Sequence, residues 1–185
     1  LLNKHIPDGG TFIDLACGAC DYLHGIANKS YMVNKWKLIG ADLNASLFNN
    51  RSETESLGIE LVDIDYENII KCNFDKRVDV LFSNNAIYCD ISKFIKFNKH
   101  NEIVYIGDTE EEQESKENFL TAYHAWTISN FKYLLCGNPN VDPNTETSRY
   151  WKSRLDKYLL DKTEGFTDSN GNVLPGCDFY LYKFV

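Results

Sequence analysis

The sequence lacks the long apolar segment that a membrane-spanning helix needs, since no hydrophobic run approaches ~18 residues. It is also short of positive charge: 19 Lys and Arg stand against 27 Asp and Glu, and the formal net charge is −8. A chain with this balance is not expected to bind nucleic-acid backbone over a broad electrostatic surface. Recognition of a single nucleotide, which depends on stacking and on hydrogen bonds to base edges, is still allowed.

Cysteine is present, but not in the arrangement of a closed metal site. The six cysteines lie at positions 17, 20, 72, 89, 136 and 177, and only Cys17 and Cys20 form a close pair. A structural zinc site usually needs a second pair of ligands, so we expect no bound metal. Two alternatives for Cys17 and Cys20 stay open: they could be half of a zinc site, or they could be a redox pair. Most of the thiols are expected to be reduced and half-buried, as in a cytoplasmic protein.

Methionine is nearly absent: the only one is Met32, and the chain begins with Leu1 and Leu2. Such a start is expected either of a trimmed chain or of a domain cut from a longer polyprotein with flanking domains. The 185 residues are enough for one domain with its own core, and no shift in composition divides them. We therefore treat residues 1–185 as a single domain.

Short apolar runs alternate with amphipathic or polar segments, which is the pattern of an α/β domain with a parallel sheet. Strands are predicted at 11–15, 37–42, 59–63, 78–85, 102–108, from 165, and 178–184, with a further short or edge strand at 131–136. Helices are predicted at 20–28, 44–57, 90–98, 110–130 and 147–162. A hairpin-turn signal at 168–172 indicates that the last strand returns antiparallel to the one before it.

The segment from Thr11 to Cys20 combines a buried strand, a turn of small residues and the start of a helix. Asp14 lies at the end of the strand. The small residues Ala16 and Gly18 let a ligand lie against the backbone, and the first N–H groups of the next helix point towards it. This arrangement is typical of a site for a nucleotide-like cofactor. A dinucleotide site would need three glycines here, and Gly18 is the only one in the segment.

Two further predicted strands also end in acids, Asp42 and Asp63. The carboxyl ends of parallel strands meet at one edge of a sheet, where ligands of open α/β sheets bind. An acid at the end of the second strand can accept hydrogen bonds from both hydroxyls of a ribose. Asp42 or Asn44 could instead cap the following helix, and Asp65 competes with Asp63 for its role.

The motif positions Asp14, Ala16, Gly18 and Cys20 resemble the first motif of the class I S-adenosylmethionine-dependent methyltransferases, Asp/Glu-x-Gly-x-Gly-x-Gly, of which Gly18 keeps the middle glycine. With the acidic strand ends and the loop after the fourth strand, the resemblance covers nearly the whole chain. It implies a three-layer, Rossmann-like α/β fold. In that fold a seven-stranded, mostly parallel sheet has an antiparallel last strand and helices on both faces.

The resemblance also implies the cofactor, S-adenosylmethionine, and the product, S-adenosylhomocysteine. In the matching positions, Asp42 would bind the ribose, Asp63 the adenine amino group, and Ile64 would pack on the adenine ring or offer its N–H. The full set of cofactor-binding positions implied in this way is Asp14, Ala16, Gly18, Asp42, Leu43, Asp63, Ile64 and Asn84.

The loop after the fourth strand faces both cofactor and acceptor in this family, and here it reads Asn84-Asn85-Ala86-Ile87-Tyr88. Asn84 stands where RNA ribose 2′-O-methyltransferases carry a catalytic Asp, and the loop lacks the prolines of amino-directed DNA methyltransferases, so both classes are disfavoured. Ala86-Ile87-Tyr88 loosely resembles the Ala/Ser-aliphatic-His-Tyr loop of mRNA cap guanine-N7 methyltransferases. Those enzymes need no general base, because the ring nitrogen already has a lone pair. Many small-molecule methyltransferases have a similar loop.

Four side chains are candidates for the acceptor pocket: Tyr88, Tyr123, His124 and Trp126. Tyr88 is preferred because its loop should face the donor methyl. Ordinary core packing of a helix is the favoured alternative for Tyr123 and Trp126, and a solvent-facing or hydrogen-bonded helix position is favoured for His124.

The leading hypothesis is therefore a cytoplasmic viral capping enzyme that methylates guanine N7 of an RNA cap by in-line transfer. Its residues would position the reactants, and none would act as a catalytic base. A methyltransferase for a metabolite or sugar is the second hypothesis, and a non-catalytic cofactor-binding module is the third. The expected partners are accordingly a capped RNA 5′ end or a small-molecule acceptor, and no membrane.

Overall fold

The computed structural model describes residues 1–29, 35–45, 48–72, 74, 76–84, 87–88, 91–138, 146–163, 166–167, 173–174 and 178–185. The strands are β1 (Gly10–Leu15), β2 (Trp36–Asp42), β3 (Ile59–Asp63), β4 (Val78–Asn84), β5 (Ile95–Phe97), β6 (Ile103–Tyr105), β7 (Phe131–Asn138), β8 (Leu159–Thr163), β9 (Phe166–Thr167), β10 (Val173–Leu174) and β11 (Asp178–Lys183). The helices are α1 (Leu2–His5), α2 (Asp21–Ala27), α3 (Arg51–Ser56), α4 (Tyr66–Ile69), α5 (Glu110–Asn130) and α6 (Glu146–Leu155).

Seven strands form one sheet in the order β3-β2-β1-β4-β7-β11-β8. The first five pair in parallel, whereas β11 is antiparallel to both of its neighbours, β7 and β8. The predicted seven-stranded, mostly parallel sheet with an antiparallel last strand is confirmed. β1 lies in the middle, so the segment that ends in Asp14 is flanked by β2 on one side and β4 on the other.

Alternate side chains of the central strands point to opposite faces, and each face has its own buried cluster. One cluster includes Phe12, Val80 and Phe82 and packs against α1, α2 and Leu57, the residue that follows α3. The other includes Ile13 and Leu81 and packs against α4, α5 and α6. The sheet is therefore the middle of three layers, as predicted. Within the described residues, no helix has the length and apolarity needed to cross a bilayer.

The region predicted as a helix at 90–98 and a sheet strand at 102–108 is instead a hairpin outside the main sheet. β5 and β6 pair only with each other, with Ile95 opposite Tyr105. The Ile95-Lys96-Phe97 run alternates apolar and polar residues, which favours a strand over a helix. The turn is closed by Asn98, whose side-chain oxygen accepts hydrogen bonds from the backbone N–H groups of His100 and Glu102.

The fifth strand of the sheet is β7, which the sequence suggested only as a short strand or an edge. It lies between β4 and β11, and Leu134, Leu135 and Cys136 are buried on its two faces. A strand covered on both faces shows a continuous apolar run without alternation, and this run was therefore hard to distinguish from other short apolar segments.

The helix predicted at 147–162 ends earlier, at Leu155, and a single 3-10 turn (Asp156–Tyr158) leads into β8. β8 is the edge strand of the sheet, whereas Phe166–Thr167 pairs with β10 in a separate two-stranded sheet. The hairpin-turn signal at 168–172 lies outside the described residues. The polar helix predicted at 44–57 is described only as α3, over Arg51–Ser56.

The long helix α5 spans 110–130 as predicted. Its acidic first turn is part of a capping box: Thr109 accepts a hydrogen bond from the Glu112 N–H, and the Glu112 carboxylate accepts one from the Thr109 N–H. Glu112, in the acidic first turn of this helix, therefore has a structural role.

Candidate functional site

The loop between β1 and α2 is held in an unusual backbone conformation at the edge of the sheet where the parallel strands end, here called the carboxyl edge. Ala16, Gly18 and Cys20 all have positive φ angles, of 60°, 50° and 62°. The backbone N–H groups of Ala16 and Cys17 donate to the Ala41 carbonyl at 2.8 and 3.2 Å, which fixes the loop against β2. A Cβ at Gly18 would meet no atom within 4 Å, so the backbone there borders open space.

Asp42 joins this loop to the end of β2. One carboxylate oxygen accepts a hydrogen bond from the Gly18 N–H at 3.0 Å, and the other accepts one from the Leu43 N–H at 2.7 Å. Each oxygen has two lone pairs, so the same carboxylate can still accept hydrogen bonds from ligand hydroxyls. The structure thus gives Asp42 a loop-holding role that is compatible with the predicted ribose contact.

Asp14 is buried, with only 2% of its surface exposed, and its Oδ2 has no hydrogen-bond partner among the described residues. Burial, followed by the nearby Cys20 and Asp42, raises the pKa of Asp14 to about 8. A buried, unpartnered carboxyl group is costly unless something else satisfies it. A cationic ligand at this edge would stabilise the ionised carboxylate.

Asn84, at the end of β4, is the second buried polar side chain with an unused oxygen at this edge. It is 6% exposed, its Nδ2 donates to the Tyr22 hydroxyl at 2.9 Å, and its Oδ1 has no partner among the described residues. β1 and β4 are adjacent parallel strands, so Asp14 and Asn84 lie at the same end of neighbouring strands. Two unsatisfied oxygens at one edge indicate a ligand-binding position.

The end of β3 completes the predicted cofactor set. Asp63 lies opposite Asp42 in the strand register, and its side chain is exposed. The Ile64 N–H donates to the Asp42 carbonyl at 2.8 Å, and Leu43 is 57% exposed. All eight predicted cofactor positions therefore lie along the ends of four adjacent strands, although their contacts with a cofactor stay a prediction.

Cys17 and Cys20 are free, buried thiols packed beneath the loop. A Cβ on Gly40 would lie 2.9 Å from the Cys20 sulfur and 3.0 Å from the Cys17 sulfur, so both sulfurs occupy the space above this glycine. A hydrogen bond with Cys20, together with burial, raises the pKa of the Cys17 thiol. Among the residues that the structure describes, no three His, Cys, Asp or Glu side chains are placed to hold a metal ion.

The predicted acceptor residues form a packed aromatic cluster. Tyr88 is 5% exposed, its hydroxyl lies 3.1 Å from His124 Nδ1, and its ring centroid is 4.5 Å from that of Trp151. Burial raises the pKa of Tyr88 well above its usual value. Burial, with Arg154 and Lys157, lowers the pKa of His124 to about 4, so this histidine is neutral at pH 7.

Tyr123 and Trp126 are buried on α5, and the Trp126 indole N–H donates to the Cys72 carbonyl at 2.7 Å. The structure therefore gives both residues the core-packing role that was the alternative for them. Binding of an acceptor by any of the four aromatic candidates stays a prediction. Asn85 and Ala86 of the same loop lie outside the described residues.

Two neighbouring aromatic residues were not assigned to the site from the sequence. Tyr22 is bonded to Asn84, and the Trp151 indole N–H donates to the Ile87 carbonyl at 3.0 Å. Trp151 lies in the helix predicted at 147–162, but nothing local indicated that this side chain would reach Tyr88. Tyr22 follows the first motif directly, and that position was its only signal.

The strand order and the position of the acidic strand ends can be compared with solved structures. A candidate class I S-adenosylmethionine-dependent methyltransferase of Listeria monocytogenes, lmo1582, matches with a TM-score of 0.57 at 13% identity, over 100% of this chain and 57% of that one. The N-methyltransferase NodS of Bradyrhizobium japonicum, solved with S-adenosylhomocysteine, matches with a TM-score of 0.51 at 10% identity, over 99% and 83%. This is the class I methyltransferase fold.

The methyltransferase fold also occurs in the bifunctional kinase-methyltransferase WbdD, which matches with a TM-score of 0.54 at 9% identity, over 98% of this chain. The chain spans 36% of WbdD and 57% of the Listeria protein. No family model and no curated protein sequence matches the chain. The methyltransferase likeness is thus one of fold.

Proposed function

We propose that the protein is an S-adenosylmethionine-dependent methyltransferase. The observation that carries the proposal is Asp14: a buried carboxyl with an unpartnered oxygen, at the ligand-binding edge of a methyltransferase fold. The cofactor is a cation at its sulfonium and ammonium groups, which suits a buried carboxylate. NodS, which has the same fold, was solved with the product S-adenosylhomocysteine, and this supports the choice of cofactor.

The residues divide the work of holding the cofactor. Asp14 offers a buried carboxyl that a cationic ligand would hold in its ionised form, Asp42 offers carboxylate oxygens to the ribose, and the Ala16–Gly18 backbone provides a surface without bulky side chains. Asp63 and Ile64, at the end of the edge strand β3, would hold the adenine, and Leu43 and Asn84 would contribute from the ends of β2 and β4. When bound, S-adenosylmethionine supplies an electrophilic methyl group on sulfur.

For the acceptor we propose guanine N7 of an RNA cap. Such a nitrogen has no proton to lose, so the site needs positioning and exclusion of water, without a general base. Asn84 at the end of β4 cannot act as a base, and its amide is bonded to Tyr22. His124 is already engaged with Tyr88. A metabolite or sugar is the alternative acceptor.

Transfer of a labelled methyl group from S-adenosylmethionine to short RNAs, with and without an unmethylated guanosine cap, tests this proposal. Calorimetry on the same protein measures cofactor binding separately. Label on capped RNA alone, independent of the first transcribed nucleotide, is the expected result. Cofactor binding without label on any RNA would refute the cap as acceptor and favour a metabolite. Absence of cofactor binding would refute the methyltransferase proposal itself.

A further inference from the structure

Positive charge is concentrated in two segments of this acidic protein. The hairpin region 91–105 and the α6 region 146–158 together hold seven of the chain's 19 Lys and Arg but only three of its 27 Asp and Glu. The rest of the chain therefore has twice as many acids as bases. The side chains that form this local surface, here called the basic rim, are Lys93, Lys96, Lys99, His100, Arg149 and Lys152.

Hydrogen bonds attach the hairpin to the first turn of α6. The Ile91 N–H donates to the Thr147 hydroxyl at 3.1 Å, and the Phe97 N–H donates to the Glu146 carboxylate at 3.0 Å. The Arg149 guanidinium lies 4.0 Å from the centroid of the Phe97 ring. The two basic segments therefore form one continuous surface.

This surface stands at the same edge of the sheet as the cofactor residues. The chain leaves the carboxyl edge at Asn84, forms the hairpin, and returns at the start of α5, which runs back to the opposite edge before β7. α6 also begins at the carboxyl edge, because it follows the end of β7. The basic rim thus belongs to the carboxyl edge, the same edge of the sheet as Asp14 and Asp42.

The hairpin is a firm support for these charges. Ile95 is fully buried, and the Phe94 ring stacks on Phe119 of α5 with centroids 5.6 Å apart. Lys93, Lys96 and Lys99 are exposed, and none of them forms an ion pair with another described residue. Packed apolar residues below and unpaired lysines above are the features of a surface that binds anions.

We propose that the basic rim binds the phosphate backbone of a single-stranded RNA and so guides its 5′ end to the methyl donor. This inference rests on the proposed function, because the rim is useful to the reaction only if the acceptor is part of a polyanion. Lys96 lies on β5 and Lys99 in the turn that follows it, and β5 is the strand that contacts α6, whereas β6 contacts α5. The RNA track therefore runs over the surface where the hairpin and α6 meet.

The test compares two double variants with equal changes in net charge. Lys96→Glu with Lys99→Glu reverses two charges of the rim. Lys29→Glu with Lys183→Glu reverses two exposed lysines at the opposite edge of the sheet, after α2 and at the end of β11. Fluorescence anisotropy with a labelled, capped 15-nucleotide RNA measures binding over a salt series, and calorimetry measures S-adenosylmethionine affinity.

We expect the rim variant to bind RNA at least tenfold more weakly, with a salt slope smaller by about 0.7 for each lost phosphate contact. Its cofactor affinity and kcat should stay unchanged while KM for RNA rises. The control variant should bind RNA within about twofold of the unaltered protein. Equal weakening in both variants, or no weakening in the rim variant, would overturn the rim as an RNA site.

The two proposals fail in different ways. If the protein binds S-adenosylmethionine but the rim variant binds RNA as tightly as the unaltered protein, the rim is refuted as an RNA site. The methyltransferase proposal is then still intact. RNA binding that depends on the rim in a protein without affinity for S-adenosylmethionine refutes the methyltransferase proposal and retains an RNA-binding surface. Binding of the rim to anionic lipid vesicles but not to RNA would also refute the RNA assignment.

Discussion

Asp14 shows how far the surroundings of one residue change its chemistry. In an unfolded chain its carboxyl group titrates near 3.8, whereas burial moves the pKa to about 8 in the folded protein. Its Oδ2 accepts no hydrogen bond from a described residue that would offset the loss of water. The residue is therefore poorly placed for stability and well placed to meet a cation.

The first prediction concerns stability against pH. Between about pH 4 and pH 8 the folded state keeps a proton on Asp14 that the unfolded state has lost, so the free energy of unfolding should fall as pH rises through this range. The full effect is at most about 6 kcal/mol. Urea unfolding of Asp14→Asn should show a flatter pH dependence than the unaltered protein. The exposed Asp156→Asn serves as control, and an equal slope in all three proteins would contradict the prediction.

The second prediction concerns Asp42, which holds the loop and is expected to hold the ribose. Asp42→Ala should weaken S-adenosylmethionine binding by roughly 1.5–3 kcal/mol, the size of lost hydrogen bonds to a charged group. Calorimetry measures this directly. Glu60→Ala removes an exposed acid from the middle of neighbouring β3 and should leave the affinity unchanged. Unaltered affinity in Asp42→Ala would exclude Asp42 from the cofactor site.

At the scale of elements, the packing of the β1–α2 loop on β2 depends on Gly40. The sulfurs of Cys17 and Cys20 and the Leu61 Cδ2 atom all lie within 3.1 Å of where a Cβ would stand. The Cys17-x-x-Cys20 spacing, which suggested a metal or redox pair, is thus explained in the structure by two small apolar side chains that fill the space above a glycine. The loop can lie this close to β2 only because Gly40 has no side chain.

The third prediction follows from that contact. Gly40→Ala should lower the free energy of unfolding by about 1–3 kcal/mol, because the added methyl group overpacks the site. Gly25→Ala is the matched control: no atom lies within 4 Å of its Cβ position in α2, so it should be neutral or stabilise by about 0.5–1 kcal/mol. Urea denaturation measures both. Adding Cys17→Ala to Gly40→Ala should recover part of the loss, and failure to do so would mean that the sulfur is not the obstacle.

At the scale of the whole molecule, the N-terminal helix α1 is joined to β8 at one edge of the sheet. Asp161 of β8 accepts hydrogen bonds from Lys4 Nζ and His5 Nε2 of α1, both at 2.7 Å. The bond with His5, and then that with Lys4, hold the pKa of Asp161 well below its usual value of 3.8. The contact contributes to the free energy of unfolding above about pH 4, and this contribution is lost as the pH falls below that value.

The fourth prediction tests this connection. Asp161→Asn should speed hydrogen exchange of the α1 amides at pH 7 while the exchange of β1 and β4 amides stays unchanged, because α1 is held to β8 by this ionised group. Exchange followed by mass spectrometry measures both regions. Asp156→Asn, in the 3-10 turn just before β8, should change neither. Unchanged protection of α1 would show that its apolar contacts hold it without Asp161.

Parts of this arrangement follow from local sequence alone. Apolar runs that end in Asp14, Asp42 and Asp63 specify strands and their polar ends, and successive parallel strands must end at one edge, so the cofactor positions were predictable together. The same reasoning yielded the antiparallel last strand and α5, whereas the three layers were implied by the family resemblance. Local periodicity and turn residues are short-range properties, which a sequence displays directly.

Other features were decided only by tertiary structure. The pairing of β5 with β6, the central place of β7, and the burial of Tyr88 among Tyr123 and Trp151 depend on contacts between residues far apart in the chain. The net charge of −8 concealed the basic rim for the same reason, because a sum over the sequence contains no positions. Local patterns determined which segments are strands and where their acids lie. Long-range packing decided which strands pair, which aromatic rings are buried, and where the few positive charges meet.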